Sequence, residues 1–176
     1  MDTIREANTR EFLIENVLTN FSEEKHEAFV ENELAKIRKE TIVRPVIYVG
    51  SGTCGLGAGA DKTLAETEKY LADRDIDAEV IKVGCIGLCA AEPLLDIQVP
   101  GKNRISFQQV QGDKVEQILD GAFSGAVESE LILGQFRNEK LESWENVPFI
   151  DEHPFFAPQQ RLVLKNCGIV NPIDIE

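Results

Sequence analysis

Two short apolar runs, residues 44–49 (RPVIYV) and 77–83 (DAEVIKV), each lead directly into a glycine-rich loop that carries cysteine. The first loop is GSGTCGLGAG at 50–59, with Cys54; the second is GCIGLCAAEP at 84–93, with Cys85 and Cys89. Between them, residues 62–73 carry Leu64 and Leu71 at helical spacing, which predicts a helix. Strand, helix, strand is a βαβ unit. Its crossover makes the strands parallel, so the loops that follow them lie at the same edge of the sheet. This topology directs three thiols toward one place.

The hydrophobic pattern continues the domain. Residues 94–99 and 104–107 read as a hairpin turned by Pro100, Gly101, Lys102 and Asn103. Asp113 and Glu116 resemble a capping box, and Val115, Ile118, Leu119, Ala122 and Phe123 form the stripe of the helix that follows. The expected order is β-α-β-β-β-α, an α/β fold of two or three layers. Before it, residues 1–41 read as a helical hairpin. Asn8 and Glu11 cap the first helix, and Phe12, Leu13, Val17, Leu18 and Phe21 form its stripe. Ser22 starts the second, with Phe29, Val30, Leu34 and Ile37. After Gly125 the periodicity fades. Residues 131–133 form one apolar stretch, and Trp144, Pro148, His153, Pro154, Phe155, Phe156 and Pro158 suggest an extended arm lying along another surface. The expected layout is therefore 1–41, 42–125 and 126–176.

Charge and length narrow the function. The chain has 176 residues and a net charge of −13, and its Lys and Arg form no dense block, which argues against a nucleic-acid surface. No apolar run approaches the ~20 residues of a membrane span, and the polar N-terminus lacks a secretory core. A soluble cytoplasmic protein is expected. Four cysteines in such a chain favour metal or redox chemistry over a disulfide scaffold.

Several chemistries compete for these residues. Gly50, Gly52 and Gly55 match the dinucleotide fingerprint in outline, yet Glu79 lies inside the second strand rather than at its end. Cys54, Cys85 and Cys89 could ligate a metal, with the surrounding glycines giving backbone N–H groups access to anionic sulfur. A zinc site would need His153 to fold back. Cys85 and Cys89 could form a thiol–disulfide pair, although their spacing is wider than the thioredoxin type and no basic neighbour is evident. They could also be inert core residues. His26 is remote. Glu92-Pro93 reads as a turn, Asp96 as a surface position, and Arg161 and Lys165 as solvated charges.

GSGTCGLGAG, then GCIGLCAAEP, then a hairpin and helix, resembles the thioredoxin-like [2Fe–2S] ferredoxin domain over about residues 44–123. More narrowly, it resembles the N-terminal version of that domain in the NADH-binding flavoprotein subunit of complex I-like enzymes, including NAD-linked multi-subunit hydrogenases and formate dehydrogenases. Residues 153–176 (HPFFAPQQRLVLKNCGIVNPIDIE) resemble the opening segment of that flavoprotein. The resemblance implies a thioredoxin-like fold, cluster ligation by Cys54, Cys85 and Cys89, and partner subunits of an NADH-linked redox complex. It implies FMN and NADH only in the full flavoprotein, so this chain alone is not expected to oxidise NADH. The family pattern has a second cysteine in the first loop, and Val49 stands at its expected place. A cluster usually takes four cysteines. Cys167 is not expected to supply one, and Ser51 or Thr53 would be poorer ligands. Two readings follow: an electron-transfer domain with a degenerate [2Fe–2S] site, or a docking module that has lost its cluster.

Overall fold

The computed structural model describes residues 39–169 together with Glu31, Asn32, Ala35, Lys36 and Pro172. Glu31, Asn32, Ala35 and Lys36 are helical and residues 39–41 form a turn; the rest of the expected N-terminal hairpin lies outside the described residues. Residues 42–172 form one unit by themselves.

Strand β1 (Val46–Gly50) is buried along its whole length. Helices α1 (Thr53–Ala58) and α2 (Ala60–Asp73) follow it and lead to β2 (Glu79–Val83). Then come β3 (Leu95–Gln98), β4 (Ile105–Phe107), α3 (Gly112–Ser124) and β5 (Ile132–Gln135). The sheet order is β2-β1-β3-β4-β5. β1 and β2 are parallel, and the remaining pairs are antiparallel. A parallel βαβ unit joined to an antiparallel hairpin, with a covering helix, is the thioredoxin-like arrangement.

Strand alternation divides the residues between two faces. Ile47, Val49, Leu95, Ile97, Ile105 and Phe107 point into one apolar core. From the helices, Tyr70 and Leu71 of α2 and Val115, Ile118, Leu119 and Ala122 of α3 complete it. The stripe expected for α3 therefore packs as read. Its start differs: the helix begins at Gly112, no side chain caps it, and Asp113 lies in the first turn, where its charge suits the positive helix end. α3 stops at Gly125, whose φ of 79° provides the left-handed residue that ends helices.

The other face of the sheet sets a buried polar group beside an apolar cluster of Val46, Tyr48 and Val83. Arg104 lies over the Tyr48 ring, with 3.5 Å from its Cζ to the ring centroid, and pairs with Asp96 at 2.5 Å. It also donates to the Gly168 carbonyl at 2.6 Å. Asp96 is thus buried rather than a surface position. The sequence hides this because its partner lies on the next strand.

The segment after Gly125 also differs from the expected arm. Residues 132–135 pair with β4 as a fifth strand. Trp144 is buried in the core and donates its indole N–H to the Asn103 carbonyl at 2.7 Å. Gln135 holds this segment through bonds to the Trp144 and Val147 carbonyls. Phe155 and Phe156 are half-buried, with Phe156 against the cluster of Ala91, Leu94 and Leu133. Beyond them, residues 161–169 form turns and no strand or helix.

Removing one member of a buried ion pair leaves a charge without compensation. Arg104→Met should therefore cost about 3–5 kcal/mol in urea unfolding, and adding Asp96→Leu should recover most of that loss. Both tyrosines are held neutral. Burial pushes the Tyr48 phenol up, and burial with the Asp120 hydrogen bond pushes Tyr70 up to about 12. For a raised folded pKa, the stabilisation is complete below the unfolded value near 10 and is lost as pH rises through the folded value. Tyrosinate absorbance should therefore stay low past pH 10 in folded protein and appear at once on unfolding.

Candidate metal centre

The register of β1 on β2 builds the site. Val46 pairs with Glu79 and Gly50 with Val83, so the two strands end level. The Ser51 N–H donates to the Val83 carbonyl at 2.8 Å and ties the first loop to the end of β2. What was expected as an open loop at 50–59 is largely α1. Gly55 in α1 lies so close to β1 that a Cβ there would stand 1.9 Å from the Gly50 carbonyl oxygen. Gly52 is also confined, though less tightly, since its Cβ would lie 3.0 Å from the Cys85 nitrogen. These glycines bring the two cysteine segments into contact, and no larger residue would fit without a shift.

Cys54 is the second residue of α1, Cys85 follows β2, and Cys89 opens a short 3-10 turn, Cys89–Ala91. Their sulfurs all lie within 4.8 Å of one another. Cys54 and Cys89 are 3.0 Å apart, and Cys85 and Cys89 are 3.7 Å apart. The Gly87 N–H points at Cys85 Sγ at 3.3 Å. Two sulfurs bound to one tetrahedral ion at about 2.3 Å each would stand about 3.8 Å apart, so the trio suits three corners of a metal site. Burial pushes the Cys85 thiol up, and the Gly87 N–H opposes this. The hydrogen bond with Cys54 pushes the Cys89 thiol up. Binding a metal must therefore displace thiol protons.

The other candidates are placed elsewhere. Val49 is fully buried in the apolar core beside Ile47, so its side chain is committed to packing. Strand alternation turns residue 49 into the core, and β1 ends at Gly50. Among the described residues, the metal-competent group contains no histidine. His153 Nδ1 accepts the Phe155 N–H at 3.1 Å. Cys167 also lies outside the trio. Ser51 donates its hydroxyl to the Val49 carbonyl. The dinucleotide fingerprint is unmet: Glu79 opens β2, and buried Val83 closes it. Arg161 is not merely solvated, since it donates to the Ile86 carbonyl at 2.7 Å and ties the C-terminal segment to the Cys85–Cys89 loop.

Sequence reading missed Glu92, which it took for part of a turn. Glu92 is buried, and its Oε1 has no hydrogen-bond partner. The one signal was an acid set in the apolar run AAEPLL directly after the cysteine loop. A groove of about 660 Å³ between α2 and α3, lined by Lys62, Lys69, Arg74 and Glu116 among others, includes none of the cysteines.

Fold and site together define a thioredoxin-like α/β domain with three converging thiols at the edge of its sheet. No family model matches the chain. It is 25% identical over 77 residues to the NADP-reducing hydrogenase subunit HndB of Solidesulfovibrio fructosivorans, a match covering 43% of this chain and 61% of that subunit. Among solved structures it is similar to a thioredoxin-like [2Fe–2S] ferredoxin from Aquifex aeolicus, with a TM-score of 0.45 and 14% identity over 56% of this chain and 98% of the ferredoxin. A second structure of that ferredoxin, the wild type, gives a TM-score of 0.43 and 12% identity over 51% of this chain and 96% of the ferredoxin. The fold assignment rests on the strand order and pairing described above.

The Gly55 contact supplies a direct test of the site's construction. Gly55→Ala should lower stability by about 1–3 kcal/mol, the range for overpacking, and should also weaken metal uptake. Urea unfolding and a metal titration would read the two effects separately.

Proposed function

We propose that this chain is an electron-transfer domain of a multi-subunit NAD(P)-linked redox enzyme, with Cys54, Cys85 and Cys89 holding a [2Fe–2S] cluster. The observation that carries this reading is the convergence of the three sulfurs within 4.8 Å from two loops at one sheet edge. The likeness to a hydrogenase subunit supports it. Such a cluster supplies one-electron transfer, with a potential set by its charge, hydrogen bonds to sulfur and exposure. The chain's own residues do the rest. The glycines admit the loops, the Gly87 N–H stabilises anionic Cys85, and exposed Cys89 brings the site to the surface, where a partner's redox group can approach.

The chain is proposed to work with other subunits or domains of such a complex, with FMN and NADH bound only by the full-length flavoprotein. Leu162 and Val163 are almost fully exposed beside Arg161, which is bonded to the cysteine loop, and this supports a protein partner there. Among the described residues, no helix is long and apolar enough to cross a membrane. A cytoplasmic site of action is part of the same proposal, as is the absence of a nucleic-acid partner.

A set of three thiols rather than four favours a second reading, a docking module without a cluster. Anaerobic purification separates the two. About two irons and two sulfides per chain, with a red-brown spectrum bleached by dithionite, is the outcome expected for electron transfer. Cys54→Ala, Cys85→Ala and Cys89→Ala should each abolish that spectrum. Folded, colourless, iron-free protein that still binds its partner would decide for the docking module.

A further inference from the structure

A buried polar atom without a partner calls for an explanation, and an unplaced ion is one of the few available. Glu92 is such a case, and it lies beside the thiols. Its Oε2 accepts the Leu94 N–H at 3.0 Å, while Oε1 is enclosed and unpaired. Its own N–H donates to the Cys89 carbonyl at 3.3 Å, which ties it one turn beyond that ligand.

The backbone makes room for this carboxylate. A Cβ on Gly50 would fall 2.5 Å from Glu92 Oε2, and one on Gly55 would fall 3.1 Å from it. The carboxylate therefore occupies the space that a side chain at position 50 would fill, at the end of β1 where the first cysteine loop begins. Among the described residues, no Lys or Arg pairs with it. A carboxylate enclosed in this way is unfavourable unless a positive charge compensates it.

We propose that Glu92 supplies the fourth ligand, a carboxylate oxygen, to the group held by Cys54, Cys85 and Cys89. The proposal rests on the reading that this trio binds a metal group. On binding, the three thiols release their protons to solvent, and Glu92 binds as the carboxylate through Oε1. Glu92 lies outside the 4.8 Å group of sulfurs, so its side chain moves toward them on binding. Carboxylate oxygen is a harder donor than thiolate but an accepted ligand for iron and zinc.

Two probes test this on the full chain: anaerobic reconstitution with iron and sulfide, and titration with Co²⁺, whose visible bands report the number of thiolate ligands. The variants are Glu92→Gln and Glu92→Ala, with circular dichroism and urea unfolding as checks on the fold. Losing a ligand should weaken metal affinity at least about tenfold, the lower bound seen even for supporting residues. The Co²⁺ bands should shift while the thiolate charge-transfer intensity per bound ion is kept. Urea stability without metal should hold or rise, because a buried unpaired carboxylate has been removed. A further variant, Gly50→Cys with Glu92→Ala, should regain affinity with an all-thiolate spectrum.

Wild type that loads iron, alongside Glu92→Gln with equal affinity and an unchanged spectrum, would overturn the proposal and leave the electron-transfer reading standing. If wild type takes up no iron, the electron-transfer reading fails, and the Co²⁺ comparison alone decides the role of Glu92. Equal Co²⁺ binding in both proteins, or none in either, would overturn that role.

Discussion

Everything at the candidate site depends on strand β1 being paired on both sides, parallel to β2 and antiparallel to β3. The parallel pairing in register, Gly50 level with Val83, sends two loops out of the sheet side by side. The antiparallel pairing brings the start of β3 back to the same edge, so that the Gly50 N–H donates to the Leu94 carbonyl. That third segment delivers Glu92. Cys54, Cys85, Cys89 and Glu92 are thus gathered from three stretches of chain by one strand's hydrogen bonds. The covalent sequence separates Cys54 from the others, and backbone pairing brings them together.

The second consequence concerns the opposite face of the sheet. With α2 and α3 both packed on the Ile47 and Val49 side, the Tyr48 side needs another cover. It carries a buried ion pair, and such a pair is tolerated only when its hydrogen bonds are satisfied. Arg104 meets this by stacking on Tyr48, pairing with Asp96 and reaching the Gly168 carbonyl. The last of these bonds fastens the C-terminal segment to the sheet. Gly168 is needed there, because its φ is 79° and a Cβ would stand 2.4 Å from Ile86 Cγ2. Ile86 lies between two ligand candidates, so the polar face and the cysteine loop share one fastening.

Much of this was legible in the residues. β1, β2, the β3–β4 hairpin and α3 carry clear periodicity, and the three cysteines follow from the topology that periodicity implies. α1 was not legible, because Gly55 and Gly57 argue against a helix by propensity. Gly55 is retained there by its contact with the Gly50 carbonyl, a tertiary fact. β5 was hidden by its four-residue length and by Gly134, whose φ is 154°. Trp144 looked like a residue waiting for an outside surface, but its partners are Asn103 and Gln135 of its own sheet edge. Glu92 and Asp96 were misjudged for one reason: an acid's burial depends on neighbours distant in sequence.

Charge joins the site to its proposed role. Three thiolates and one carboxylate would place four negative charges around the bound group, and the neutralising donor shown is a single N–H from Gly87. The chain adds a net charge of −13, and among the described residues no Lys or Arg pairs with Glu92. Negative surroundings favour the more positive, oxidised state of a bound metal. A redox group held by this donor set would meet its partner at Cys89, the exposed corner of the trio.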